Sequence, residues 1–188
     1  MLCPQPEVVR MRMDLVLRRS LNSSAIIALV LVCVIPSALA LDSNANRETL
    51  RGLKGVRVLV EDFASEVEKA GLTKNQLQPH IEDRLRRAGI KPLTQDECFV
   101  TPGEPYLYVN INLNFRKADP NIYSFSIDIG VIQNVTLDRD SKQKTYAATW
   151  STGGVGSIEK EFLPRLKDSV DDLLDLFIKS YLAVNPKK

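Results

Sequence analysis

The sequence has few of the residues on which enzymes and metal sites depend. Its 188 residues include one histidine and three cysteines. A structural zinc site needs several cysteine or histidine ligands at close spacing, and these are too few. The single histidine, His80, has no motif beside it that would select a nucleophile for acid–base catalysis. We therefore predict no catalytic residue, no metal and no cofactor, and we expect a protein that is not an enzyme.

The sequence also lacks an apolar run long enough for an ordinary membrane-spanning helix, which needs about 20 residues. The longest run, Ala25–Ile35, has 11 residues. It follows a basic stretch with four arginines and precedes small residues at Ala38 and Ala40, which is the pattern of a secretory signal peptide. We predict that residues 1–40 are removed after Ala40 and that the protein is exported, with the periplasm as its location. An uncleaved segment that anchors the chain in the membrane is the alternative. Three methionines are candidate start residues: Met1, Met11 and Met13.

An excess of charge of one sign is absent once residues 1–40 are set aside. They hold four of the 25 basic and two of the 23 acidic residues, so the remainder carries 21 of each. A neutral domain lacks the basic surface that binds nucleic acid, so no such partner is expected. We expect contact with a membrane only through the signal peptide during export. One cysteine, Cys98, remains, so no intramolecular disulfide can form, and its thiol is either buried or free to pair between chains.

The remainder of the sequence predicts a short leader and one domain. Residues 41–52 are polar, and we interpret them as a leader before a single domain at 53–186. A helix is predicted from Thr73, a suitable N-cap, to Gly89, a suitable C-cap, with apolar residues at helical spacing between them. Three flanking segments are shorter predictions: a strand at 56–60, a strand at 90–93 and a loop at 94–105.

The clearest pattern is a pair of alternating segments at 106–115 and 123–131. Odd positions are apolar and even positions are mostly polar in both, which predicts strands with one buried and one solvated face. Opposed residues of an antiparallel pair share a face, so paired numbers must have an even sum. Pairing Phe115 with Tyr123 meets this condition. The pattern weakens beyond Gly130, which predicts a β-bulge there.

Three further elements complete the predicted domain. They are a strand at 144–152, a glycine-rich loop at 153–157 and a long helix from Ile158 to Val184 that Pro164 divides. Both amphipathic helices must bury an apolar stripe on the same apolar sheet face. We therefore predict an α+β fold, a two-layer sandwich in which a mainly antiparallel sheet carries two helices packed on one face.

The polar face of the two central strands is the predicted binding surface. Its side chains form hydrogen bonds and carry little charge: Tyr108, Asn110, Asn112, Asn114, Ser126 and Asp128. Ser124, at the start of the second strand, belongs to the same face. Amide and aromatic groups together suit a glycan or a peptide backbone. We expect Tyr106 and Trp150 at the margin of this face. The alternative is that these residues only solvate the open side of a two-layer sheet.

Four other features resemble functional sites but favour structural roles. His80 is interpreted as a solvated helix residue, because proton transfer needs a positioned partner. The loop Gly153–Ser157 lies between a strand and a helix, where phosphate can bind, but it lacks a P-loop lysine and is interpreted as a flexible connection. Asp138–Asp140 lacks the spacing of a calcium loop and indicates a turn. Glu61 and Asp62 are adjacent strand residues that point to opposite faces, so they cannot act jointly.

Several stretches resemble small exported bacterial proteins of unknown function: LRGLKGVRVLVEDF, AGLTKNQLQ, RRAGIKPL, PYLYVNINL and KTYAATWSTGG. The resemblance covers most of residues 50–186 and implies no known active site. The order of elements is also similar to that of the amino-terminal domain of TolB-like envelope proteins, a likeness of fold alone. We expect an exported, non-enzymatic binding or envelope-assembly module whose partner is another envelope protein or a glycan. The alternative is a cell-envelope hydrolase or transferase.

Overall fold

The computed structural model describes residues 41–63, 65–69, 71–115, 119 and 121–186. The predicted signal peptide lies outside these residues. The described chain is of the α+β class and contains a four-stranded sheet in the order β1-β2-β3-β4. The strands are β1 (Arg57–Val60), β2 (Tyr106–Phe115), β3 (Ile122–Leu137) and β4 (Asp140–Glu159). The helices are α1 (Asn44–Glu48), α2 (Ser65–Lys69), α3 (Lys74–Ala88), α4 (Gln95–Val100) and α5 (Leu166–Val184), with a 3₁₀ segment at Lys160–Arg165 before α5.

The sheet is mixed: the three long strands form the antiparallel meander expected from the sequence, and a parallel pair is added to it. β1 pairs with β2 in parallel, whereas β2, β3 and β4 form antiparallel pairs. Adjacent parallel strands need a long crossover, and the segment with α2, α3 and α4 supplies it. The strand predicted at 90–93 is reduced to one parallel bridge between Val56 and Pro92.

The register predicted for the two central strands is confirmed. Phe115 lies opposite Tyr123, and the same ladder places Asn112 opposite Ser126. The parity of the apolar positions was sufficient to select this register, because a shift by one residue would turn the asparagines toward the core.

The predicted bulge lies next to its expected position and on the neighbouring strand. The pairing of β3 with β4 shifts between Val131 and Ile132, whose partners are Trp150 and Ala148. The extra residue is therefore Thr149, on β4. The shift lets Trp150 share the buried face of Val131.

Helix α3 has the predicted limits. Thr73 precedes it in an extended conformation, and Gly89 follows it with φ of 84°, in the left-handed region that favours glycine. Pro79 lies inside the helix rather than at its start. The buried side chains are those of Leu77, Ile81 and Leu85, so the apolar stripe faces the core.

Residues 41–52 are part of the fold, which corrects the expectation of a polar leader. Leu41 forms an antiparallel bridge with Ser151 on β4. The Ser43 side chain accepts a hydrogen bond from the Asn46 backbone and caps α1. Leu50 is fully buried in the core. The segment is therefore held against the domain both by the burial of Leu50 and by backbone pairing with β4.

Strand β4 is longer than predicted and includes the glycines expected in a loop. A Cβ atom at Gly153 would lie 2.7 Å from the carbonyl oxygen of Ile127, and one at Gly156 would lie 2.8 Å from the Phe125 ring. The neighbouring strand thus approaches so closely that glycine is required, which is a known role of glycine within strands. The predicted final helix consequently begins later, at Leu166.

The loop predicted at 94–105 contains helix α4. Thr94 accepts a hydrogen bond from the Glu97 backbone, and the Glu97 side chain accepts one from the Thr94 backbone. This reciprocal pair is a capping box, which stabilises short helices by satisfying free N–H groups. The Cys98 side chain is buried beneath the helix and donates to the Pro105 carbonyl.

One cluster of buried side chains joins the helices to the sheet. From α3 and α5 it includes Leu77, Ile81, Leu85, Val170, Leu174 and Phe177, and from the strands Val58, Leu107, Val109, Ile127, Ile129 and Trp150. The Trp150 and Phe177 rings pack with centroids 5.4 Å apart. The buried residues alternate along each strand, so the residues between them lie on the other face of the sheet.

Candidate functional site

The opposite face of the sheet carries the predicted binding residues side by side. Asn110 lies opposite Asp128, Asn112 opposite Ser126 and Asn114 opposite Ser124. Asn112, Asn114 and Asp128 are exposed, while Tyr108, Asn110 and Ser126 are partly exposed. The Asn112 amide donates to the Ser126 hydroxyl at 3.4 Å. We refer to Tyr108, Asn110, Asn112, Asn114, Ser124, Ser126 and Asp128 as the polar face.

The asparagine row of the polar face is unfavourable for strand formation. Asparagine is depleted in strands because its short amide competes for backbone hydrogen bonds and packs poorly on a pleated surface. Nevertheless, Asn110, Asn112 and Asn114 occupy successive outward positions of β2, along the part that pairs with β3; the pairing of β1 with β2 ends at Val109. The row therefore places three amides, each with donor and acceptor atoms, on the outward side of β2.

Tyr108 extends the polar face toward β1 as a neutral hydrogen-bonding group. A hydrogen bond with Glu61, together with burial, raises the pKa of Tyr108 to about 12. Tyr108 lies opposite Gly130, where no side chain competes for the space above the sheet. The phenol thus remains protonated under all physiological conditions. Sequence reasoning considered Glu61 only as a partner of Asp62 and missed this contact.

Two further tyrosines and a glutamate lie at one end of the polar face. The rings of Tyr106 and Tyr146 have centroids 6.1 Å apart. The Tyr146 hydroxyl donates to Glu104 Oε2 at 2.5 Å, and this hydrogen bond raises the pKa of Tyr146. The Asn134 amide donates to Glu104 Oε1 at 3.5 Å. Tyr106 was expected at the margin and lies there; Tyr146 and Glu104 were not expected.

Glu104 lines a polar pocket beside these tyrosines. Its φ of 43° lies in the left-handed region, which is strained for a residue with a side chain. The pocket has a volume of about 300 Å³ and is also bordered by Asn134, Thr136 and Lys144. Phe99, which is 56% exposed, lies at the same pocket. Carboxylate, amide, hydroxyl and aromatic groups therefore meet where the polar face ends.

Trp150 is not at the margin of the polar face, which corrects the expectation. It faces the core and is fully buried. Its indole N–H donates to Asp42 Oδ1 at 2.7 Å, and the Ser180 hydroxyl donates to the same oxygen at 3.1 Å. Residues two apart in a regular strand face the same side of the sheet. Because Thr149 is the extra residue of the bulge, Trp150 and Ala148 face opposite sides. This residue therefore has a structural role.

His80 has a charged partner but belongs to an ion cluster between helices. Its Nε2 lies 2.7 Å from Asp171 Oδ1. Arg84 contacts Asp171 at 2.8 Å and Asp175 at 2.5 Å. Burial raises the pKa of Asp171, but hydrogen bonds from Arg84 and His80 outweigh it and leave that pKa below its usual value. His80 and Arg84 of α3 both contact Asp171 of α5, so the cluster links the two helices.

The other candidate motifs are dispersed. Gly153–Ser157 lies within β4 and is not a loop at a helix N-terminus. Asp62 pairs with Lys74 at 2.8 Å, apart from the contact of Glu61 with Tyr108. Within the described ranges, no three His, Cys, Asp or Glu side chains are grouped so as to hold a metal ion.

No protein-family model matches this chain, and neither does any curated protein sequence. Function therefore has to be inferred from the geometry of the described residues. None of the helices in that part of the chain combines the length and apolar character that crossing a bilayer requires.

Proposed function

We propose that this chain is an exported, non-enzymatic binding or envelope-assembly module whose ligand contacts the polar face. The carrying observation is the asparagine row: three residues that disfavour strands stand in register opposite Ser124, Ser126 and Asp128. Each amide offers both a donor and an acceptor. A ligand laid along the row would meet a repeated pattern of both kinds of group.

The chemistry of this surface favours a neutral, polyhydroxylated ligand, that is, a glycan. Hydroxyl groups of sugars both donate and accept hydrogen bonds, as do the amides of Asn110 and Asn112 and the hydroxyl of Ser126. Tyr106 and Tyr146 supply aromatic surface at one end, and the second of these is 50% exposed. Charge is sparse, so an ionic ligand would find little to pair with. Another envelope protein, bound through a polar segment, is the alternative partner.

The proposal includes a two-layer arrangement, with α3 and α5 covering one side of the sheet so that the polar face stays accessible. It is supported by the single buried cluster that contains residues of both helices and of alternate strand positions. The ion cluster of His80, Arg84 and Asp171 supports it as well, because it ties the two helices to each other. With both helices on one side, the binding surface needs no conformational change to be reached.

Export is the other part of the proposal and rests on the sequence of residues 1–40. A basic lead, a short apolar run and small residues before position 41 support cleavage after Ala40. Intact-mass measurement of protein purified from the native host would check this. A mass that starts at Leu41 is expected. A mass that includes residues 25–35 would contradict cleavage and favour the membrane anchor.

The binding surface is tested by the double variant Asn110→Ala and Asn112→Ala. Both changes lie on the solvent side of β2, so the fold should persist, and the circular dichroism spectrum is expected to be unchanged. Binding to purified envelope glycan, measured by co-sedimentation with insoluble peptidoglycan, should fall at least tenfold, since a tenfold change corresponds to about 1.4 kcal/mol. Asn75→Ala, an exposed asparagine on α3, is the matched control and should bind normally.

Two results would change this proposal: the first would reject the surface, and the second would keep the surface and replace its ligand. Undiminished binding by the double variant would show that the ligand contacts another part of the molecule. Absence of binding to glycan by the unmodified protein, combined with crosslinking of Asn110-side residues to an envelope protein in cells, would favour the protein partner over the glycan.

A further inference from the structure

Strand β4 forms an outer edge of the sheet, and the middle of that edge has none of the usual protection. Outer strands of natural sheets carry lysine, proline or inward-pointing charges that prevent pairing with other chains. Between Lys144 and Glu159 the sequence contains no charged residue and no proline. The stretch Thr152–Ser157 is neutral and includes three glycines. Among the described residues, only Leu41 pairs with this edge, at Ser151.

The direction of the free backbone groups on this edge follows from the contact of Leu41. The Ser151 N–H donates to the Leu41 carbonyl, so it points away from β3. Backbone groups of a strand alternate in direction with a period of two, and the pairing of β4 with β3 is regular from Trp150 to Glu159. The N–H and C=O groups of Gly153, Val155 and Ser157 therefore also point outward, ready to pair with another strand.

Exposed apolar side chains lie along the same edge. Val155 is 48% exposed on the side of the polar face, and Leu176 of α5 is 44% exposed on the other side. A groove of about 290 Å³ runs between β4 and α5, bordered by Phe125, Ile127 and Leu176 among others. Gly153 and Gly154 line the groove on the side of β4. A second strand on the edge would cover Val155 and the mouth of this groove together.

We propose that β4 pairs with β4 of a second copy of this chain, antiparallel and with Val155 opposite Val155. In this register Gly153 faces Ser157 of the second copy, and Thr152 faces Ile158. A symmetric pair requires an edge that is complementary to itself. This edge meets the requirement, because its neutral stretch brings no like charges opposite each other. The pairing ends at Ser151, where Leu41 occupies the edge.

The dimer has a consequence for the proposed binding surface and does not depend on it, but it rests on the proposed cleavage after Ala40, because it needs a chain that begins at Leu41 beside Ser151. Opposed residues of antiparallel strands lie on the same side of a sheet, so the polar faces of both copies would lie on the same side of one continuous sheet. The two α5 helices would then lie together on the other side, with both grooves at the junction. Oligomerisation and ligand binding are measured separately, so failure of one does not imply failure of the other.

The register is tested by placing a cysteine at the two-fold axis. In the processed protein that begins at Leu41 and therefore lacks Cys3 and Cys33, Val155→Cys would place the opposed Cα atoms about 5.5 Å apart, which suits a disulfide. Mass spectrometry of the oxidised protein should find the peptide of residue 155 linked to its own copy. Ser157→Cys is the matched control, because its copy would be roughly 14 Å away along the strand and should not link to itself. Cys98 is buried and does not compete.

Sedimentation velocity provides the second measurement. The unmodified protein should show a concentration-dependent dimer, and Val155→Lys should weaken its association at least tenfold, with an unchanged circular dichroism spectrum. A protein that is monomeric at every concentration would overturn the proposal. So would self-linkage through residue 157 equal to that through residue 155, and so would a dimer that Val155→Lys leaves intact.

Discussion

Removal of the Asp42 carboxylate should destabilise the fold more than removal of an exposed acid such as Asp138. Asp42 accepts hydrogen bonds from Trp150 at 2.7 Å and Ser180 at 3.1 Å, and Arg47 binds both of its oxygens at 2.7 and 2.6 Å. Trp150 and Ser180 are buried. In Asp42→Ala their two donors lose their acceptor inside the core.

The magnitude follows from the cost of these donors. An unsatisfied buried donor costs about 1–3 kcal/mol, so loss of both should lower the free energy of unfolding by about 3 kcal/mol. Asp42→Asn keeps an acceptor oxygen but loses the charge that Arg47 pairs with. This variant should lower the free energy of unfolding by about 1 kcal/mol. Asp138→Ala, at the exposed β3–β4 turn, is the control and should change the free energy by less than about 0.5 kcal/mol.

Urea denaturation followed by tryptophan fluorescence is the suitable assay, because Trp150 is the only tryptophan in the chain. Its emission reports directly on the site of the change. A loss below about 1 kcal/mol for Asp42→Ala would refute the reasoning, since it would mean that water satisfies the two donors without cost.

The pH dependence gives an independent check on Asp42. Hydrogen bonds, first of all from Arg47, hold the pKa of Asp42 below its usual value despite partial burial. A carboxyl whose pKa is lowered by folding stabilises the protein above its unfolded pKa and loses this effect as the pH falls through its folded pKa. The stability difference between the unmodified protein and Asp42→Ala should therefore be constant near neutrality and shrink below about pH 4.

Two further predictions concern the sheet. Gly153→Ala places a Cβ atom against the Ile127 carbonyl and should lower the free energy of unfolding by about 1–3 kcal/mol in urea denaturation; an unchanged value would mean that β3 and β4 separate easily. Tyr108→Phe removes the phenol whose pKa the contact with Glu61 raises to about 12. Ultraviolet titration of the variant should lose the tyrosine that ionises near that pH, and retention of this transition would contradict the assignment.

The sequence was most informative where the pattern was local and periodic. Parity alone selected the pairing of Phe115 with Tyr123, and the capping residues Thr73 and Gly89 marked α3. Helix α4 was also readable in principle, since Thr94 and Glu97 form a recognisable capping box within the segment interpreted as a loop. These features depend on neighbours a few residues apart.

What could not be predicted depends on contacts between distant residues. The glycines of β4 resemble a loop until Ile127 and Phe125 are seen to leave no room for a side chain. Nothing in the local sequence marks Leu50 as a core residue or Asp42 as the acceptor for the Trp150 indole. At the candidate site, the polar face was predicted in full, but Glu104 was not, because its role depends on backbone geometry and on Tyr146, which lies 42 residues away.

The first and last segments of the described fold hold each other. The Asn185 side chain donates to the Leu50 carbonyl at 2.9 Å and accepts from the Gly52 N–H at 2.7 Å. Because a nascent chain emerges N-terminus first, Leu50 and Gly52 can form these two hydrogen bonds only after Asn185 has been synthesised. The fold can therefore be completed only after synthesis has reached residue 185, whatever order its other elements follow.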